Sequence, residues 1–242
     1  MNERDMDFAA RAKKAGIVLS DLQCKQFADY RTLLIAWNKK MDLTAITDPG
    51  EIDKKHFLDS LSILRFFPDG ITGRVIDIGT GAGFPSIPVK ILNPLMPLTL
   101  VDSLNKRIVF LQEVVKNLAL TDVSLVHARA EDFLRAQPEN THREAYDYVF
   151  ARAVAPLPVL LEYTLPALRI GGELIAMKGP SAMQEVEDAR NALSELGGEL
   201  VEADDFIWTE QRFQRVNLRI RKIRPTPERY PRGKGKAKKR PL

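Results

Sequence analysis

The chain has 242 residues, 45% of them hydrophobic and 28% charged, which suits one large domain with its own core and excludes collagen-like, low-complexity and wholly disordered classes. Its net charge of +4 is unevenly placed: ten of the 36 basic residues and one of the 32 acidic residues fall in 221–242, so a body of −5 carries a tail of +9. Such a tail reads as an electrostatic arm for a polyanion or as a merely solubilising tail, and the clustering of the charges favours the arm.

A single cysteine, Cys24, excludes an internal disulfide and suits a reducing compartment. His56, His127 and His142 lie far apart with no cysteine at ligand spacing, so no metal site is expected. Met1 to Asp5 lack the basic-then-apolar pattern of a signal peptide,. The longest apolar region, Val75 to Val101, is broken by Asp77, Lys90, glycines and prolines, well short of the ~20 apolar residues of a membrane helix. A cytoplasmic protein without membrane contact is expected.

Residues 3–15 predict a weak helix. A second begins at Ser20, where Ser20-Asp21-Leu22-Gln23 forms a capping box,. Its residues Phe27, Tyr30, Leu34, Trp37 and Met41 recur at three and four positions and make one apolar stripe,. Tyr30 and Trp37 are therefore expected in the core. Asp48-Pro49 supplies a cap and a first-turn proline for a third helix running to about Phe67,. Lys39, Lys40, Lys54 and Lys55 face either phosphates or solvent.

From Arg74 the pattern changes to strands alternating with helices. Strands are predicted at Val75–Ile78, Leu98–Asp102, Ser124–Ala128, Tyr146–Ala151 and Glu173–Met177, with helices near 84–93, 105–119, 131–136, 156–169 and 181–196. That alternation implies a parallel sheet covered on both faces. The near-continuous apolar strands agree, being buried on both sides. After Gly197-Gly198, residues 199–208 and 214–223 read as two strands with no helix between, an antiparallel hairpin at one edge. The expected organisation is a helical extension over 1–70 packed on the core, a core over 71–224, and a basic flexible tail over 225–242.

Ligands of an open parallel sheet bind at the carboxyl ends of the strands. There the first strand runs into Asp77-Ile78-Gly79-Thr80-Gly81-Ala82-Gly83-Phe84-Pro85. A dinucleotide fingerprint needs its third glycine at 84, but Phe84 stands there, which disfavours a nicotinamide enzyme. The form Asp-x-Gly-x-Gly-x-Gly suits S-adenosylmethionine, which has no pyrophosphate to seat. Gly79, Gly81 and Gly83 let the backbone approach the ligand. Asp102, at the end of the second strand, offers a carboxylate to ribose hydroxyls or caps the next helix. Ala130 and Glu131, after the third strand, are placed for an adenine ring or as a cap. Arg152, at the end of the fourth strand, requires an anionic partner: a cofactor carboxylate, a substrate phosphate or a local acid. Lys178, ending the fifth, adds a second cation, and the two would flank the cofactor's reactive end as positioning residues.

Taken together, Trp37-Asn38-Lys39 with Leu43-Thr44, His56 to Ser60, Gly79 to Pro85, Asp102-Ser103, Lys106-Arg107, Arg152-Ala153 and Lys178-Gly179 resemble the glucose-inhibited division protein B family. Asp42, Ser86 and Ala151 stand where that family more often has Asn, Gly and Ser. The resemblance implies an α/β, Rossmann-like class I methyltransferase with a mostly parallel seven-stranded sheet, an antiparallel edge strand and a preceding helical segment. It implies methylation of guanine N7 in bacterial 16S ribosomal RNA by a monomer acting on that RNA or on the small ribosomal subunit. It also implies cofactor contacts at Gly79, Phe84, Ala130, Glu131 and Arg152, to which Gly81, Gly83, Asp102 and Ser103 are added. Phe84 and Pro85 are expected to line a slot for the base. Arg229, Arg232, Lys234, Lys236, Lys238, Lys239 and Arg240 are the candidates for RNA contact. The alternatives are a methyltransferase for protein or small molecules and a non-catalytic nucleic-acid-binding protein on the same scaffold.

Overall fold

The computed structural model describes residues 3–208 and 213–242. Two helices open the chain, α1 (Glu3–Lys14) and α2 (Asp21–Met41). The Ser20 hydroxyl accepts from the Gln23 amide and the Gln23 side chain accepts from the Ser20 amide, so the capping box forms as expected. On α2, Phe27, Tyr30 and Leu34 are buried and Trp37 packs half-buried against Phe110.

The third predicted helix is not one regular helix. It consists of α3 (Pro49–Ile52), a wide π-helical turn over Asp53–Leu58, α4 (Asp59–Leu61) and a tight 3₁₀ turn over Ser62–Phe66. Among the buried polar residues on this stretch, Asp53, His56 and Asp59 each have a partner elsewhere in the chain. Arg31 of α2 joins Asp53 at 2.7 Å and Asp5 of α1 at 2.5 Å. A π turn of this kind is common where side chains serve a site.

The core contains β1 (Val75–Ile78), α5 (Ser86–Leu92), β2 (Leu98–Asp102), α6 (Asn105–Asn117), β3 (Val123–His127), α7 (Ala130–Phe133), β4 (Tyr146–Arg152), α8 (Leu157–Thr164), β5 (Leu168–Lys178), α9 (Ala182–Asp188), α10 (Arg190–Leu196), β6 (Gly198–Trp208) and β7 (Phe213–Lys222). Helix α8 stops before Pro166, which cannot continue it,. The single sheet has the order β3-β2-β1-β4-β5-β7-β6, parallel except that β7 runs antiparallel to both β5 and β6. Side chains alternate between two cores. Val75, Leu98, Leu100, Phe150 and Met177 join the N-terminal helices, α5 and α6. Ile76, Ile78, Val101, Ala151 and Leu174 join α8, α9 and α10. The strand order reverses between β1, which pairs with β2, and β4. That switch point opens the crevice where ligands bind.

The tail departs from expectation. Residues 225–242 lie docked on the core rather than flexible. Arg143 donates to the carbonyls of Thr226 (2.8 Å), Pro227 (3.2 Å) and Tyr230 (2.7 Å). Arg232 forks onto Glu162 of α8 with Nη2–Oε2 at 2.6 Å, and the Arg232 amide adds 2.7 Å to Oε1. Tyr230 is buried, and so is Ala237 on a short C-terminal helix, α11 (Lys236–Lys239). Low apolar content suggested disorder, but the segment is held by hydrogen bonds and one buried ion pair, which hydropathy does not register.

Glu162 is fully buried, so replacing Arg232 by Ala strands a carboxylate. The expected loss in urea unfolding is about 3 kcal/mol, and a Glu162→Gln change in the same chain should recover part of it.

Candidate active site

The loop after β1 is built around three glycines in the left-handed region: Gly79 at φ 77°, Gly81 at 61° and Gly83 at 94°. They do different work. A Cβ at Gly83 would lie 2.7 Å from Ile87 and 2.8 Å from the Tyr30 hydroxyl, so Gly83 is needed for packing. A Cβ at Gly81 would meet nothing within 4 Å, so the backbone there borders open space. The Tyr30 hydroxyl donates to the Ala82 carbonyl and supports the loop from the N-terminal segment.

Asp102, buried at the end of β2, pins the same loop. Its Oδ2 accepts from the Gly81 amide (2.9 Å) and Arg107 (3.1 Å), and its Oδ1 accepts from the Leu104 amide (2.9 Å). A carboxylate has about four acceptor positions, and the longest contact, Arg107 Nη1 to Oδ1 at 3.5 Å, takes the fourth, so a ligand hydroxyl would compete with Arg107 there. Asp77 faces the interior instead. Burial pushes its carboxyl up to about 7, against the hydroxyls of Ser86 and Thr80, which favour the charged form. The Ser86 hydroxyl donates to it at 2.5 Å. On the β3 side, Ser103 is exposed, Ala130 is half-buried, and Glu131 is buried with Arg129 at 4.0 Å.

Arg152 ends β4. Of the three anions considered for it, the one present is a local acid. Its Nη1 donates to Asp59 Oδ2 (3.0 Å) and to the Lys55 carbonyl (3.1 Å), and its Nη2 donates to His56 Nδ1 (3.0 Å). Asp59 also accepts from Arg215 Nε at 2.9 Å. Because Nδ1 accepts, the His56 proton sits on Nε2 and is donated to the Thr44 hydroxyl at 2.8 Å. Burial and the adjacent Arg152 lower His56 to about 3, so the ring is neutral. Asn38 holds the chain around Thr44 through three hydrogen bonds to Leu43 and Thr44. Sequence reasoning did not find this network. Its one signal was that polar Asp53, His56 and Asp59 recur every three residues in a helical stretch.

Two further expectations are revised. Lys178 is held by Glu185 (2.8 Å) and the Ala155 carbonyl (2.8 Å), so it ties β5 to α9 rather than standing as an open cation. Phe84 is buried, with His56 stacked on it at 4.6 Å, Tyr30 at 5.5 Å and the Arg152 guanidinium over the ring at 4.8 Å. Pro85 is buried as well, so neither side chain offers a face to a base. Beyond them lies a cavity of about 770 Å³ lined by residues that include Ile46, His56, Arg152, Met177, Lys178 and Arg215. Among the basic candidates, Arg229 pairs with Glu195 and Arg232 with Glu162, while Lys234, Lys236, Lys238, Lys239 and Arg240 are exposed. Lys39 and Lys40 are exposed, and Lys54 and Lys55 pair with Glu51.

A family model described as rRNA small subunit methyltransferase G matches residues 23–212. The chain belongs to that family. It is 46% identical over 230 residues to the ribosomal RNA small subunit methyltransferase G of Alkaliphilus metalliredigens, covering 95% of each chain. It is 49% identical over 227 residues to that of Acetivibrio thermocellus, covering 94% of this chain and 92% of that one. Among solved structures it is similar in fold to M. jannaschii TYW2, solved with AdoMet, at 16% identity and TM-score 0.52 over 68% of this chain and 77% of that one. The family match spans α2, the His56–Asp59 turn, the glycine loop and Arg152, the elements that the network above joins.

Two outcomes follow from the loop. Gly83→Ala should lower stability more than Gly81→Ala, by at least about 1 kcal/mol, while Gly81→Ala should be the more selective for ligand affinity; unfolding curves and ligand titration on both variants read this. Asp77 ordinarily titrates at 3.8 and is raised to about 7 when folded. Across that window the folded chain keeps a proton that the unfolded chain releases, so this group's contribution to stability falls as pH rises. His56 tilts the profile the other way between about 3 and 6.5. The comparison that isolates Asp77 is therefore Asp77→Asn against wild type, whose stability difference should move in the variant's favour with rising pH by up to about 1.4 kcal/mol per unit.

Proposed function

We propose that this chain transfers a methyl group from S-adenosylmethionine to N7 of a guanine in 16S ribosomal RNA. The observation that carries this reading is the open backbone cradle at Gly81 beside Asp102, at the sheet's switch point, in a chain that belongs to the rRNA small subunit methyltransferase G family. The donors and acceptors present fit the cofactor. Gly79, Gly81 and the Phe84 backbone would border it on the loop, with Gly83 shaping the turn. Asp102 and Ser103 would meet the ribose, and Ala130 and Glu131 the adenine. Arg152 would act at its reactive end as a positioning residue, holding His56 and the His56–Asp59 turn beside the cavity. When bound, S-adenosylmethionine supplies the electrophilic methyl group.

Guanine N7 carries a lone pair and no hydrogen, so its attack on that methyl needs no general base. The site agrees with this chemistry. His56 is neutral with its proton committed to Thr44, Asp77 is buried beneath the loop, and Lys178 is paired with Glu185. Rate enhancement then rests on proximity and alignment, which supply up to about 7–11 kcal/mol. The target base must be unstacked to reach the cavity. A ribosomal RNA substrate supports a cytoplasmic location; among the described residues no helix is long and apolar enough to cross a membrane. Both sheet faces are covered within one chain, which supports action as a monomer.

Incubation with methyl-labelled S-adenosylmethionine and either naked 16S RNA or small subunits lacking the modification tests the reading. Label is expected at N7 of one guanine. Label in protein or in small molecules, or cofactor binding without transfer to RNA, would overturn it.

A further inference from the structure

The C-terminal segment sorts its residues sharply. Thr226, Tyr230, Arg232 and Ala237 face the core: Thr226 Oγ1 donates to the Leu196 carbonyl at 2.9 Å, Tyr230 is buried, Arg232 forks onto Glu162, and Ala237 is fully buried. Arg229 pairs with Glu195, and the other cations, Lys234, Lys236, Lys238, Lys239 and Arg240, are all exposed. Among the described residues none of the five forms an ion pair. No acid interrupts them in 234–240.

The place of this run in the fold is as informative as its charge. Lys234 and Gly235, both at positive φ (59° and 67°), turn the chain into α11. Ala237 then packs on Val159 and Tyr163 of α8, and Ala130 and Ala155 close the same contact. Ala130 opens α7 at the end of β3, on the proposed adenine side, and Ala155 lines the cavity with Arg152. On so short a helix one inward alanine turns Lys236, Lys238 and Lys239 outward. Arg129, 68% exposed, extends the basic surface at the neighbouring residue.

We propose that residues 234–240 form a fixed phosphate-binding ridge, docked through Ala237 beside the mouth of the site, that holds the substrate RNA at a set distance from the cavity. This rests on the RNA reading above. Five unpaired cations in seven positions repel one another, and a polyanion relieves that repulsion. A solubilising tail requires no buried anchor on α8. A flexible arm would add affinity alone, whereas a docked ridge also fixes the register of the RNA.

Two full-length variants separate these cases. The triple variant Lys236→Gln, Lys238→Gln and Lys239→Gln removes charge and keeps the docking. Its affinity for 16S RNA should fall at least tenfold at moderate salt, and the slope of log affinity against log salt should become shallower by about 2–3. Ala237→Lys keeps every cation and adds one, but cannot seat on Val159 and Tyr163. It should raise the KM for RNA at least fivefold, with S-adenosylmethionine affinity within twofold of wild type in both variants. An unchanged salt slope in the triple variant would overturn the ridge. RNA binding and KM equal to or better than wild type in Ala237→Lys would overturn the docking and leave a flexible arm. If the wild type methylates neither RNA substrate, the proposed function falls, while the salt slopes still decide whether the ridge binds RNA.

Discussion

Burying a guanidinium without a counter-charge costs several kcal/mol, and at the end of β4 Arg152 meets that constraint with Asp59, 93 positions earlier in the chain. Burial draws the Arg152 pKa down and Asp59 draws it back up. The pair therefore locks the N-terminal segment to the carboxyl edge of the sheet. His56 takes its tautomer from Arg152, Thr44 takes a hydrogen bond from His56, and Asn38 holds the loop that presents Thr44. Phe84 is packed between His56 and Tyr30 as part of the same assembly. The helices before the sheet are thus one wall of the site, fixed to the sheet by an ion pair and by aromatic packing.

The glycine loop is held by similar means from the other side. Asp102 grips the Gly81 amide, Tyr30 grips the Ala82 carbonyl, and Ile87 fences Gly83. Only Gly81 among the three borders open space. A preorganised backbone of this kind suits a reaction whose barrier is lowered by alignment, since little must move once the reactants are seated.

Much of the fold was legible in the sequence, for a specific reason. β1 and β2 were predicted to the residue because Val75–Ile78 and Leu98–Asp102 are short, mostly apolar runs that leave few alternative boundaries. The capping box at Ser20 and the Asp48-Pro49 start were local signals and held. What escaped were interactions between distant polar residues. The segment after Pro49 looked like a plain amphipathic helix because periodicity reads Leu58 and Leu61, not the burial of Asp53 and Asp59. Arg152 was correctly singled out as needing an anion, but its partner lies in another region of the chain. A loop position says nothing of the rings brought around it, so Phe84 reads as a surface in the sequence and is a packed ring in the fold. The +9 at the end of the chain was visible as a sum. Its division was not: Arg221, Lys222, Arg229 and Arg232 are matched by Glu173, Glu144, Glu195 and Glu162.

That division also bears on the order in which the molecule is made. Chains fold from the amino end as they are synthesised, so α8 with Glu162 forms before Arg232 exists. Until Arg232 and Ala237 are added, the nascent chain must keep Glu162 hydrated or protonated, and the face of α8 that will receive Ala237 stays open. Completion of this fold therefore waits on Arg232 and Ala237. Loss of residues 232–242 would remove the counter-charge of buried Glu162 rather than trim an appendage.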